Sequence, residues 1–150
     1  MPKSKYALLM RLAEEKQEAA AERVNQAQRT LTEATSKLTQ LKTFVDEYQQ
    51  RLTDRGSRGI GIVEWQDFRR FLARLDEAVC TQQQQVDRAA QRFLLERHAW
   101  QDAKKSCRTF EKLIAREKER AQREERRQEQ KMTDELASRH TWNNSSRHEV

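Results

Sequence analysis

Apolar side chains recur along this chain at alternating steps of three and four residues. Taking Val24 as a first position, the series runs Val24, Ala27, Leu31, Ala34, Leu38, Leu41, Val45, Tyr48 and Leu52, and extends backwards through Ala20, Gln17, Ala13, Met10 and Tyr6. A second series runs Trp65, Phe68, Leu72, Leu75, Val79, Gln82, Val86, Ala89, Phe93, Glu96, Trp100, Ala103, Cys107, Phe110, Ile114 and Ala121. Such a seven-residue repeat is the seam of a coiled coil. All three glycines fall between the two series, in Gly56-Ser57-Arg58-Gly59-Ile60-Gly61. Glycine weakens a helix interior and takes positive φ freely, so this cluster predicts a hinge between two helices. The expected fold is all-α: a long antiparallel two-helix coiled-coil hairpin in a single domain, residues 1–150. Helix one is expected at about 5–55, the hinge at 56–61 and helix two at about 62–140, with an overhanging C-terminal helix and a disordered tail at 143–150.

Local signals agree with those boundaries. Ser4 can cap helix one, and Arg55 followed by Gly56 reads as its C-terminus, the cation facing the negative end of the dipole. Gly61 with Glu64 three residues on reads as the start of helix two. Helix two carries the aromatic bulk, set against small residues on helix one such as Ala13, Ala20, Ala27 and Ala34, so large and small side chains can interlock. Gln82 and Glu96 interrupt the seam and are expected to fix its register. With the turn centred near Arg58, Tyr6 lies opposite Phe110 or Glu111, and everything after about Lys112 lacks a partner within the chain. Lys112–Lys131 is rich in opposite charges three or four residues apart, a solvated helix or one that docks on another protein.

Composition narrows the picture. Charged residues make up 36% of the chain and hydrophobic ones 35%, which is too little apolar material for a thick core and enough for a two-helix seam. The net charge of +6 comes from 30 Lys plus Arg against 24 Asp plus Glu, mixed along the chain, which suggests salt-bridged helix surfaces first and nucleic acid or an anionic membrane second. No apolar run approaches the roughly 18 residues of a membrane span, and Tyr6–Met10 is too short for a signal-peptide core. The expectation is a cytoplasmic protein, at most peripheral on a membrane complex, with no direct membrane insertion. The two cysteines, Cys80 and Cys107, would lie about 40 Å apart on one helix, beyond disulfide reach. Both are expected to be free thiols, with Cys107 a small apolar residue of the seam.

Catalytic chemistry is not apparent. The glycine spacing Gly56-x-x-Gly59-x-Gly61 is neither a dinucleotide fingerprint nor a P-loop. His98, His140 and His148 make no ligand spacing with either cysteine. A two-helix structure has no concavity to desolvate a carboxylate pair. No enzyme, metal or cofactor is expected. Arg116, Lys118, Arg120, Arg123, Arg126, Arg127 and Lys131 could follow a phosphate backbone, but Glu117, Glu119, Glu124, Glu125 and Glu129 interrupt them and weaken counterion-release binding. No specific nucleic acid is therefore expected, and an acidic protein surface fits this helix better.

The motif Trp65-x-x-Phe68-x-x-Phe71-Leu72-x-x-Leu75-x-x-Ala78-Val79, preceded by Glu47-Tyr48 and Leu52 before the glycine turn, resembles the FliJ family, the soluble component of the flagellar export apparatus. Leu9-x-x-Leu12-Ala13-Glu14 resembles the family's N-terminal pattern. Gln130-Lys131-Met132 with Asp134-Glu135-Leu136-Ala137 resembles its C-terminal one, here with Thr133 inserted. The resemblance spans nearly the whole chain and rests on the order and spacing of its motifs. It implies an antiparallel coiled coil similar to the stalk of rotary ATP synthases, inserted in the hexameric ring of the flagellar export ATPase, and hence a part in type III protein export and motility. The ring contacts it implies are Leu9, Leu12, Leu113, Ile114, Lys131, Met132 and Leu136. It further implies binding to the export gate protein FlhA through Leu41, Phe44, Tyr48, Phe71, Leu75 and Ala78, and the handling of export chaperones. Lys37 and Gln82 depart from the family's gate-contact pattern. Leu41, Tyr48 and Leu75 are also seam positions, whereas Phe71 and Ala78 fall on the flank, where an exposed Phe points to a partner surface. The protein is expected to be a monomer or weak dimer. The alternatives are the stalk of a virulence-type secretion system and a basic helical nucleic-acid-binding or scaffold protein.

Overall fold

A computed structural model describes residues 5–148. The chain forms two long helices packed against each other, α1 (Ala7–Arg58) and α2 (Ile62–His148), and no strand occurs among the described residues. It divides into two compact units, one of Glu15–Lys104 and one of Met1–Glu14 with Lys105–Val150. The capping role of Ser4, the fraying of Met1–Ser4 and the last two tail residues lie outside the described residues.

In the unit Glu15–Lys104 the chain reverses over three residues. Gly59 takes φ of 89°, a left-handed value that a residue with a Cβ adopts only at a cost. The Gly61 carbonyl accepts a 2.9 Å bond from the Trp65 N–H, as a helix N-cap should. Helix one ends later than expected, because it continues through Gly56 and Ser57 to Arg58. Gly56 needs no special φ there, and Ser57 Oγ donates a 2.7 Å bond to the Asp54 carbonyl, occupying one of the acceptors left over at a helix end. Glu64 is drawn across the hinge into an ion pair with Arg55.

Away from the hinge this unit follows the predicted register. Ala20, Ala27, Leu38, Val45, Leu75 and Ala89 are buried, and Val24, Leu31, Ala34, Leu41, Tyr48, Leu52, Phe68, Leu72, Val79, Val86, Phe93 and Trp100 are half-buried. Half-burial of large side chains is what a two-helix seam allows, since solvent flanks it on both sides. The two polar interruptions are satisfied. Gln82 Nε2 donates to the Ala34 carbonyl at 3.0 Å, and Glu96 accepts from Arg23 and Arg92 at 3.1 Å each. Ala27 lies beside Ala89, Arg92 and Glu96 of α2, so at this level a small residue faces a small one and not the large one expected. Trp65 departs from the register and is 40% exposed. Its counterpart across the hinge lies beyond Leu52, where α1 offers only polar residues such as Asp54 and Arg55.

In the second unit Ala13 and Cys107 are buried. Tyr6, Met10, Phe110, Leu113, Ile114 and Glu117 are half-buried, and every residue from Lys118 to Arg147 is exposed. The unpaired stretch thus begins about five residues later than expected. Ala121, a seam position by pattern, is exposed for want of a partner. The tail also differs from expectation, because α2 continues through Asn143–Ser146 to His148. Ser146 Oγ bonds the Trp142 carbonyl at 3.0 Å and Thr141 Oγ1 the Ala137 carbonyl at 2.9 Å, so hydroxyls able to end a helix bond back within it instead.

Candidate functional site

Two surfaces carry the residues singled out by sequence. The first lies in the unit Glu15–Lys104, near the hinge. Tyr48 reaches across from α1 to α2, its ring 5.3 Å from Phe68 and 4.7 Å from Phe71, tilted against each. Arg55 caps the group with its guanidinium 5.6 Å from the Phe68 ring. Phe71 remains 39% exposed and Phe44 43%, while Leu41, Tyr48 and Ala78 are half-buried. Leu75 is 8% exposed, so it can support the patch from beneath but offers almost no surface of its own.

Phe71 is therefore more than a flank residue. One side of its ring packs on Tyr48, and the other side faces solvent. Exposed aromatics held by an intramolecular stack lose little conformational freedom on binding, which favours recognition. Lys37, a departure from the family pattern, is exposed, and Gln82 is turned inward to Ala34, so Gln82 serves the seam.

The second surface lies in the unit formed by the chain's two ends. Leu9 and Leu12 on α1 are 45% and 46% exposed, and Leu113 and Ile114 on α2 are half-buried. Lys131, Met132 and Leu136 stand on the exposed stretch, the last two each 64% exposed. Met132 and Leu136 are one turn apart on one face, but they lie about 27 and 33 Å along the helix from Ile114 at 1.5 Å per residue. The unit thus holds Leu9, Leu12, Leu113 and Ile114 in its paired part and sets Lys131, Met132 and Leu136 apart on the exposed stretch. The intervening helix is supported by exposed pairs, Arg123–Glu119 at 2.6 Å and Arg127–Glu124 at 3.8 Å, each worth only a few tenths of a kcal/mol.

Two features escaped the pattern. Leu94 and Leu95 are 61% and 69% exposed and line, with Gln91, Arg97, His98 and Gln101, an open hollow of about 640 Å³. Their off-register position directly after Phe93 was the available signal. Leu8, 64% exposed, adds to the apolar surface around Leu9 and Leu12. Cys80 and Cys107 are both free. Burial first, and then the carboxylates of Glu14 and Glu111, push the Cys107 thiol up from its ordinary pKa, which keeps it neutral and unreactive.

The model of the family described as flagellar FliJ protein matches residues 2–146. No curated protein and no solved structure gives a significant match.

Proposed function

The chain belongs to the flagellar FliJ family and so is a component of the flagellar export apparatus, and from that premise we propose that it is a non-enzymatic stalk and adaptor. Its two ends dock in the ring of the export ATPase, the hinge-proximal patch meets the export gate protein FlhA, and export chaperones are handled along the way. The observation that carries this reading is the exposed stretch from Lys118 to Arg147, which has no counterpart among the described residues yet holds Met132, Leu136 and Trp142 at 64%, 64% and 73% exposure. A sparse apolar stripe on a charged helix does not stabilise that helix, and half of an interface accounts for it. Both α1 and α2 contribute residues to each of the two surfaces.

The deciding experiment removes residues after Glu117 and measures binding and ATP hydrolysis by the export ATPase. The expected result is loss of both, with the helical melt largely retained. Stimulation at full strength by the shortened chain would show that the stretch is not the docking element.

A further inference from the structure

Ile62 and Val63, in the first turn of α2, are 77% and 73% exposed, and Trp65 is 40% exposed. These three belong to neither the seam nor the aromatic patch, and they sit where the chain reverses, beside half-buried Ile60. Three exposed arginines lie nearest to them: Arg58 on α1, and Arg69 and Arg70 on α2. Among the arginines of this end, the ion pairs of the described residues engage Arg55 alone. Of the nearby acids, Glu64 is held by Arg55, leaving Asp54 and Asp67. The next acids, Asp46, Glu47, Asp76 and Glu77, lie about 16 to 23 Å from the hinge along their helices.

We propose that the hinge end docks on an anionic lipid surface, with Ile62, Val63 and Trp65 entering the headgroup layer and Arg58, Arg69 and Arg70 meeting lipid phosphates. A bilayer orders its chemistry by depth, and this end is ordered the same way: apolar side chains at the apex, an indole beside them, guanidiniums set back. Arg69 and Arg70 lie about 10 to 12 Å from Ile62 along α2, so entry of the apex by about 5 to 10 Å brings them to headgroup level. Asp46, Glu47, Asp76 and Glu77 lie farther from the apex along their helices than Arg69 and Arg70 do, so the arginines reach the surface first. The contact is interfacial, because no helix among the described residues is long and apolar enough to cross a membrane. An acidic protein would satisfy the arginines but would leave an apolar apex unexplained. The proposal is independent of the docking of the chain's ends.

The test is flotation of the full chain with vesicles of phosphatidylcholine alone and of phosphatidylcholine mixed with phosphatidylglycerol. Binding is expected only to the anionic vesicles and should be lost at high salt. Ile62→Ser with Val63→Ser should weaken it about tenfold, and each of Arg69→Glu and Arg70→Glu by about fivefold or more, with unchanged helical melts because all four positions are exposed. In a chain carrying Trp100→Phe and Trp142→Phe, Trp65 emission should shift to the blue and be quenched by lipids brominated on their acyl chains. This readout decides the matter even if the serine variant folds poorly. No binding to anionic vesicles, equal binding by a folded serine variant, or Trp65 emission that is neither shifted nor quenched on binding would each overturn the proposal.

Discussion

Gln82 and Glu96 show how single residues set the pairing of two helices. Each sits on the seam and each has a partner, Gln82 on the Ala34 carbonyl and Glu96 on Arg23 and Arg92. The Ala34 carbonyl also belongs to a helix interior, so replacing Gln82 leaves no orphaned acceptor. Gln82→Leu should therefore raise stability by about 0.5 to 1.5 kcal/mol while loosening register, seen as a higher melting temperature and increased self-association in sedimentation. Phe71 tests the opposite balance. Its stack on Tyr48 means that Phe71→Ala should cost about 0.5 to 1.5 kcal/mol and still weaken gate binding far more than Leu38→Ala, a buried control expected to cost about 2 to 5 kcal/mol. Equal effects of the two substitutions on gate binding would remove Phe71 from the interface. Thiol chemistry probes burial directly: Cys80, exposed, should react quickly with a disulfide reagent, and Cys107, buried, only as the chain opens. Because the Cys107 pKa is raised on folding, its contribution is fully present below the ordinary thiol pKa and is lost as pH rises through the raised value.

The hinge and the exposed stretch are the two elements whose limits the structure moved. Three clustered glycines located the hinge but not its exact residues, because a glycine only permits positive φ and does not require it. Gly59 alone uses that freedom, and Gly56 lies within α1. A Cβ added at either meets nothing within 4 Å, so backbone conformation decides the outcome. Gly56→Ala should stabilise the chain by about 0.5 to 1 kcal/mol, and Gly59→Ala should destabilise it by about 1 to 2 kcal/mol, a difference in sign that thermal melts resolve. The stretch without buried residues begins after Glu117 and not after Lys112. Ending the chain at Phe110 would remove half-buried Leu113 and Ile114 as well as the docking stretch, so a cut after Glu117 is the cleaner separation of stability from function.

For the molecule as a whole, charge and apolar surface divide the possible partners. The net charge of +6 is spread over 54 ionised side chains (30 basic plus 24 acidic), so long-range attraction to nucleic acid should be weak. Retention on heparin is expected to end near physiological salt, with a shallow dependence on salt concentration. A steep dependence, as six or more phosphate contacts would give, would favour a nucleic-acid-binding protein. Exposed apolar residues gather instead at the chain's two ends, at the aromatic patch, at Leu94 and Leu95, and at the hinge apex.

The sequence by itself determined the two helices, their pairing and the seam, because a heptad repeat is a local code: each position is apolar or polar according to the face it must present, and that face is set by helix geometry alone. It also showed that helix two outruns helix one, which is a matter of counting. The tertiary structure decided what depends on both helices at once. Leu75 and Phe71 stand four residues apart on α2 and both belong to the family motif. The packing of α1 covers Leu75 and leaves Phe71 leaning on Tyr48 with one side open. Trp65 continued the pattern but lost its partner where α1 turns polar, and Ile62 and Val63 became an apolar apex because the chain reverses immediately before them. A periodic pattern records which residues could be buried, and only the arrival of a second surface settles which of them are.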